Sequence, residues 1–118
     1  MRSRVLVLSL LVAALGMTIA PAALPQTKAI NSTTVVVSAT EFKFKLSKTT
    51  VPHGKVVFRI KNIGKLSHDF WIASHKSKLL KPGQSTTLTV TLKAGRWAYK
   101  CTVPGHAAAG MKGRLRVT

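Results

Sequence analysis

The amino-acid sequence predicts an all-β protein, a sandwich of seven or eight short strands. In several segments apolar residues recur at every second position, which is the period of a strand with one buried face. Turn-forming Gly, Pro and Asn separate these segments at short intervals, and no segment has the apolar spacing of an amphipathic helix. Short alternating strands joined by tight turns are typical of a β-sandwich.

The first 22 residues have the layout of a secretory signal peptide. Arg2 and Arg4 form a short positive head, residues 5–19 are an apolar run, and Ala20-Pro21-Ala22 offers small residues for cleavage. The run is shorter than the about 20 residues that cross a bilayer, which disfavours an uncleaved anchor. We therefore predict cleavage near Ala22 or Ala23 and export to the periplasm or the extracellular space, with or without attachment to the membrane surface.

A linker and one folded domain are predicted to follow. Residues 23–32 are polar, contain Pro and Ala and have no apolar periodicity, so we assign them to the linker. Residues 33–118 form the domain, since a chain of 118 residues has room for only one.

The strands of this domain are predicted from the alternation of apolar residues, in chain order. The first half supplies strands around residues 35–37, 42–46 and 56–60, with turns at residues 51–54 and 62–64 between and after them. The second half supplies further strands at residues 70–72, 88–92, 97–101 and 114–117. Trp97, Tyr99 and Cys101 share one face of their strand. We expect Trp71, Trp97 and Tyr99 to belong to the core.

One short loop collects a set of soft metal ligands. Cys101 is the only cysteine, His106 follows it after four residues, and Met111 follows after four more. Thiolate, imidazole and a weak thioether suit copper, and two His, one Cys and a long axial Met form the electron-transfer type of copper centre. We predict that His68, after the Asn62–Gly64 turn, is the second histidine. Singly, each residue has an ordinary structural interpretation, such as a buried Cys.

The motifs that carry these residues resemble those of the cupredoxins, the small blue copper proteins related to plastocyanin and azurin. They are Tyr99-Lys-Cys-Thr-Val-Pro-Gly-His106, Gly110-Met-Lys-Gly113 and Asn62-x-Gly64-x-x-x-His68. The resemblance spans about Thr33 to Thr118, and the loop spacing is similar to that of the rusticyanin, auracyanin and sulfocyanin type. It implies a Greek-key β-sandwich with one type 1 copper ion at one end, held by His68, Cys101, His106 and Met111.

Asp69 departs from the family pattern, because many relatives of this type carry Asn at the matching position. The resemblance implies that the side chain at this position helps to tie the two ligand loops together. A carboxylate can only accept hydrogen bonds, so we expect Asp69 to accept them from backbone N–H groups near Thr102. A solvated loop carboxylate is the alternative. His53 and His75 lie outside the ligand order, and we assign them no metal role.

The resemblance implies a carrier of single electrons, and three other functions compete with this interpretation. Multicopper oxidases and nitrite reductases share the fold but have a histidine next to the copper cysteine. The neighbours here are Lys100 and Thr102, so no enzyme activity is predicted. A copper carrier or buffer would use the same four ligands and stays open. The third is a basic binding module for anionic lipid, cell-wall polymer or nucleic acid, which the net charge alone would permit. Export and the lack of an aromatic stacking platform disfavour nucleic acid.

The charge of the chain indicates an acidic partner. The sequence has 19 Lys and Arg against two acids and a net charge of +17, and removal of Arg2 and Arg4 leaves +15. Charge steering raises the rate of short-lived redox encounters. We predict a monomer whose partner is an acidic cytochrome, oxidase or reductase, with an anionic membrane surface as a further partner. The small uncharged residues around His106 make it the predicted port for the electron.

Overall fold

The computed structural model describes residues 13–24 and 31–118, and the second range forms two β-sheets that enclose one core. Neither described range contains a helix, so the predicted all-β sandwich is confirmed. The strands in chain order are β1 (Thr33–Thr40), β2 (Lys43–Leu46), β3 (Thr50–Val51), β4 (Gly54–Asn62), β5 (Trp71–Ile72), β6 (His75–Lys76), β7 (Ser85–Leu92), β8 (Gly95–Lys100) and β9 (Lys112–Val117).

The strands divide into a four-stranded sheet of order β2-β1-β4-β7 and a five-stranded sheet of order β3-β9-β8-β5-β6. β1 pairs with β4 in parallel, and β3 pairs with β9 in parallel, while all other neighbours named here are antiparallel. Successive strands often lie in opposite sheets, which is the connectivity of a Greek-key sandwich. Because β1 and β4 are parallel, both end at the same edge of their sheet.

The predicted number of strands, seven or eight, was slightly low. β3, β5 and β6 contain two residues each, too few for an alternation to be recognised. The alternation of apolar residues predicts that Phe42 belongs to the second strand, but Phe42 lies in the turn between β1 and β2.

The core lies between the two sheets and consists mainly of the buried apolar residues of the alternating strands. A fully buried apolar side chain stabilises a fold by about 1.5–3 kcal/mol, so this core stabilises the two sheets that carry the loops. Trp97 and Tyr99 pack against it as expected, whereas Trp71 is half-buried and does not pack against it. The Trp71 ring instead faces the Lys100 ammonium, which lies 5.2 Å from the ring centroid. The buried members of the core are Val35, Val37, Val51, Val56, Phe58, Ile60, Phe70, Ile72, Leu80, Val90, Leu92, Leu115 and Val117. A second buried cluster, of Ala39, Cys101 and Met111, lies where β1 and β8 end.

Residues 13–24 form neither helix nor strand, and their large apolar side chains are exposed. Residues 1–12 of the predicted signal peptide and residues 25–30 of the predicted linker lie outside the described residues. Among the residues that are described, no helix could span a membrane. Cleavage and the linker therefore stay predictions.

Candidate metal centre

Three loops meet at one end of the sandwich. The first is the turn at residues 41–42 after β1, and the second is the loop at residues 63–70 after β4. The third joins β8 to β9 and spans residues 101–111. Side chains of the three loops contact one another, so one site is built from segments that are distant in the sequence.

The donor atoms of His68, Cys101 and His106 converge in this site. All three residues are buried, and one ligand atom of each lies within 4.8 Å of the others. The Nδ1 atoms of the two histidines are 3.1 Å apart, and the Cys101 Sγ is 3.6 Å from His106 Nδ1. Transition-metal bonds to such donors are about 2.0–2.3 Å long, so the three atoms can contact one ion.

Met111 lies beside these three residues. It is fully buried and packs with Cys101 and Ala39 in the second buried cluster. The Cys101 N–H donates to the Met111 carbonyl at 3.0 Å, and the Met111 N–H donates to the His106 carbonyl at 3.1 Å. The structure therefore brings the four predicted residues into one buried region whose donor set, one sulfur, two imidazoles and one thioether, fits copper.

The loop from Cys101 to Met111 is compact because it closes on its own backbone. The His106 N–H donates to the Val103 carbonyl at 3.1 Å, and the Ala109 N–H donates to the Gly105 carbonyl at 3.1 Å. Gly105 has a φ of 82° and Gly110 a φ of 115°, a region in which side chains cause strain. The turn at Pro104-Gly105 brings His106 back toward Cys101.

His68 is held by its backbone and by the preceding loop. Its N–H donates to the Leu80 carbonyl at 3.0 Å and its carbonyl accepts from the Leu80 N–H at 2.8 Å. The Asn62 amide donates to the carbonyls of Leu66 and Leu80, and its oxygen accepts the Gly64 N–H at 2.9 Å. These bonds fix the path of the chain up to His68.

Glu41 is a site residue that the sequence analysis missed. Its Oε1 lies 3.1 Å from His68 Nε2 and accepts the N–H groups of Lys65 and Leu66, each at 2.7 Å. The bond from Leu66 is the main cause that lowers the pKa of Glu41 to about 2, so the group is a carboxylate at neutral pH. One signal could have found it, because Glu41 is one of only two acids in a strongly basic chain.

Phe42 is the second missed residue. Its ring meets the His106 ring edge-on, with centroids 5.1 Å apart, and it is itself exposed. His106 is 8% exposed, whereas His68 is 0% exposed, so of the two histidines it is His106 that reaches the surface. The turn at residues 41–42 thus contacts both histidines, one with each side chain.

Asp69 behaves as its chemistry predicts. Its Oδ1 accepts the Thr102 backbone N–H at 2.6 Å, and its Oδ2 accepts the Thr102 hydroxyl. The alternative of a solvated carboxylate is wrong, because Asp69 is only 5% exposed. Its side chain ties the loop of His68 to the loop of Cys101.

The electrostatics of the site differ from those of the rest of the surface. Both acids of the chain, Glu41 and Asp69, lie here although the whole chain carries +17. Burial raises the pKa of the Cys101 thiol, which is therefore protonated at neutral pH. Metals bind the thiolate, so a metal that binds here must displace this proton.

The remaining histidines lie elsewhere. His53 and His75 are exposed, and their Nδ1 atoms are 2.9 Å and 2.7 Å from the carbonyls of Thr118 and Ala73. Among the described residues, the group of His68, Cys101 and His106 is the single cluster of this kind that could hold a metal.

Comparison with known proteins points to the same chemistry. The profile of the copper-binding proteins of the plastocyanin/azurin family matches residues 29–118. The chain is 32% identical over 90 residues to the copper-resistant cuproprotein CopI of Vibrio cholerae, a match that covers 58% of this chain. It spans about half of that relative, 53% of its length.

Solved structures of similar fold include an auracyanin and a rusticyanin. Reduced auracyanin from Roseiflexus castenholzii is 26% identical, with a TM-score of 0.66 over 73% of this chain and 97% of that one. Rusticyanin from Thiobacillus ferrooxidans is 23% identical, with a TM-score of 0.64 over 74% of this chain and 77% of that one. The second likeness is evidence of the fold alone.

Proposed function

Because the chain belongs to the plastocyanin/azurin family of copper-binding proteins, we propose that it is an exported blue copper protein that transfers single electrons between redox partners. The cupredoxin resemblance of the sequence is confirmed by this family match. In the proposal, His68, Cys101, His106 and Met111 hold one type 1 copper ion. Bound copper supplies the one-electron couple of Cu(I) and Cu(II).

The observation that carries the proposal is the convergence of His68 Nδ1, His106 Nδ1 and Cys101 Sγ in a buried, hydrogen-bonded site. The sandwich and the bonds of Asn62 and Asp69 hold the ligand loops from both sides. A scaffold that fixes its ligands resists rearrangement when the charge of the metal changes. Little reorganisation is what fast electron transfer requires.

His106 is the proposed port for the electron, because it is the ligand histidine that reaches the surface. The residues beside it are small or apolar, including Pro104, Ala108 and Ala109, which are exposed. The sequence neighbours of His106 therefore place no charged side chain between a partner and the imidazole edge.

An acidic partner is proposed from the distribution of positive charge. On the outer face of the second sheet, Arg96 lies directly opposite Arg116, and Lys100 lies directly opposite Lys112. All four are exposed. Like charges in opposite positions of paired strands destabilise the fold. We therefore take the attraction of a negatively charged partner as the reason for these four charges. This face adjoins the loop of Cys101 and Met111, which suits steering of a negative protein to the copper end.

Copper loading and electron self-exchange test the proposal. An electron carrier binds one copper per chain, shows a reversible reduction wave, and exchanges electrons rapidly between its oxidised and reduced forms. Nuclear magnetic resonance line broadening in mixtures of the two forms measures that exchange. Slow exchange at full copper occupancy would refute the electron-carrier function.

A copper carrier or buffer is the second candidate function. The observation that favours it is the name of the curated relative, a copper-resistant cuproprotein, although this chain spans only about half of that protein. A copper carrier releases its metal readily to a competing chelator or acceptor protein. Measurement of copper transfer rates next to self-exchange rates separates the two functions.

The proposal also includes two further points, that the protein is a carrier and not an enzyme, and that it is exported. The neighbours of Cys101 are Lys100 and Thr102 instead of a histidine that leads to a second copper, which supports a carrier over an oxidase or nitrite reductase. The signal-peptide layout of residues 1–22 supports export to the periplasm or beyond. Turnover assays with nitrite and with oxygen test the first point, and the N-terminal sequence of the secreted protein tests the second.

A further inference from the structure

Glu41 makes contacts that reach beyond its own turn. Its Oε1 accepts the backbone N–H groups of Lys65 and Leu66 and lies 3.1 Å from His68 Nε2. The carboxylate thus joins the end of β1 to the loop that precedes His68. The one other acid of the sequence, Asp69, lies in that loop directly after His68.

The contact with Nε2 determines which nitrogen of His68 is free. An ionised carboxylate has no proton to give, so Nε2 must carry the proton and donate it to Glu41. In the neutral ring this leaves Nδ1 with its lone pair, and Nδ1 is the atom that faces His106 Nδ1 at 3.1 Å. The ring is therefore oriented with its binding atom toward the centre of the site.

We propose that Glu41 is the positioning residue of His68, holding the ring in the tautomer and orientation that present Nδ1 to the metal. The proposal rests on the proposed function, since it takes His68 as a copper ligand. Outer carboxylates that accept the second N–H of a ligating histidine raise its basicity and fix its direction. Glu41 also places a negative charge near the metal, which stabilises the more highly charged Cu(II).

Gly64 supports this assignment independently. A Cβ at residue 64 would lie 2.5 Å from Glu41 Oε1 and 2.9 Å from Oε2, closer than real Cβ contacts. Gly64 is not one of the glycines with positive φ, so its backbone does not require glycine. A side chain at residue 64 would therefore push the flexible end of Glu41 away, so the observed contact between the carboxylate and His68 depends on the glycine at this position.

Three substitutions test the role of Glu41 in the full chain. Glu41→Ala removes the acceptor, Glu41→Gln keeps an acceptor oxygen but removes the charge, and Gly64→Ala displaces the carboxylate without changing it. Thr89→Lys is the matched control, because it raises the net charge by one, as Glu41→Gln does, at an exposed position on β7 opposite Val57.

The first readout is the tautomer of His68 in the metal-free protein at neutral pH, measured by nitrogen chemical shifts of the imidazole. We expect protonated Nε2 and free Nδ1 in the wild type, in Glu41→Gln and in Thr89→Lys. We expect a mixture of tautomers in Glu41→Ala and in Gly64→Ala. A wild-type tautomer that persists in both of these variants would overturn the proposal.

The second readout is the copper affinity and the reduction potential. Glu41→Ala should weaken Cu(II) binding by about tenfold to a hundredfold in competition with a chelator. Glu41→Gln should raise the potential, whereas Thr89→Lys should leave it nearly unchanged. Equal affinities in Glu41→Ala and wild type would also overturn the proposal. If the protein proves to be a copper buffer, the proposed function fails, but both readouts still decide the role of Glu41.

Discussion

The Asp69 carboxylate accepts the backbone N–H of Thr102 at 2.6 Å and joins the loop of His68 to the loop of Cys101. The two residues are 33 positions apart in the sequence, yet each is the immediate neighbour of a proposed copper ligand. The distance between the proposed ligands His68 and Cys101 therefore depends on this side chain. It also places a negative charge next to the Cys101 sulfur.

Two substitutions of Asp69 separate these structural and electrostatic effects. Asp69→Ala should lower the free energy of unfolding by about 1.5–3 kcal/mol, the range for a hydrogen bond to a charged group. Asp69→Asn keeps an oxygen for the Thr102 N–H and should cost less. Because both variants remove a negative charge near the copper, both should raise its reduction potential. Chemical denaturation and voltammetry measure the two quantities, and an unchanged potential in Asp69→Asn would contradict the electrostatic part.

Substitution of Met111 by Leu tests the axial ligand. Leu and Met have similar volumes, so a buried exchange should cost less than about 1.5 kcal/mol of stability. Copper should stay bound through the other three residues. Loss of the thioether donor removes a stabilising contact to Cu(II), so the reduction potential should rise. A potential equal to that of the wild type would show that Met111 is core packing and not a ligand.

The buried thiol of Cys101 predicts a pH dependence for the metal-free protein. Burial raises the pKa of Cys101 above the ordinary value of 9.0, and burial also raises the pKa of Tyr99 above 10.0. Above about pH 9 the unfolded chain releases the Cys101 proton while the folded protein keeps it, so stability falls as pH rises through this window. Urea denaturation at several pH values should show this loss.

Cys101→Ala is the control for that measurement. It removes the contribution of the thiol and leaves that of Tyr99, so stability should start to fall only above about pH 10. An identical pH profile in the variant and the wild type would contradict the assignment to Cys101.

The charge of the domain predicts electron transfer that depends on salt. The rate with an acidic cytochrome should fall as ionic strength rises, because about 0.1 M salt screens charges beyond about 10 Å. Lys112→Glu should reduce this rate more than Lys55→Glu. Lys112 directly follows the loop of Cys101 and Met111, whereas Lys55 lies near the start of β4, at the end of that strand away from the metal site. Stopped-flow measurements give both rates. Equal, salt-independent rates with acidic and basic cytochromes would rule out steering.

Much of this fold could be predicted from the sequence, because alternation and turn residues are local signals. The residues 56–60 and 88–92 alternate clearly and lie in β4 and β7. The two-residue strands β3 and β6 have no pattern of their own and exist because a neighbouring strand supplies the hydrogen bonds. For this reason the number of strands was underestimated.

The site was predictable to the extent that its residues stand close in the sequence or have unusual chemistry. Cys101, His106 and Met111 share one loop, and the carboxylate of Asp69 could be assigned an acceptor role from its position beside His68. Glu41 was missed because its partner is 27 residues away and only the parallel pairing of β1 with β4 brings the two together. No local pattern carries that information.

Titration of the purified protein with Cu(II), followed by visible absorption, tests most directly whether His68, Cys101, His106 and Met111 hold one copper ion. The account predicts an intense blue colour from charge transfer between the Cys101 sulfur and copper, saturating at one copper per chain and absent from Cys101→Ala. A wild-type protein that stays colourless with copper bound, or a Cys101→Ala variant with the same colour, would contradict it.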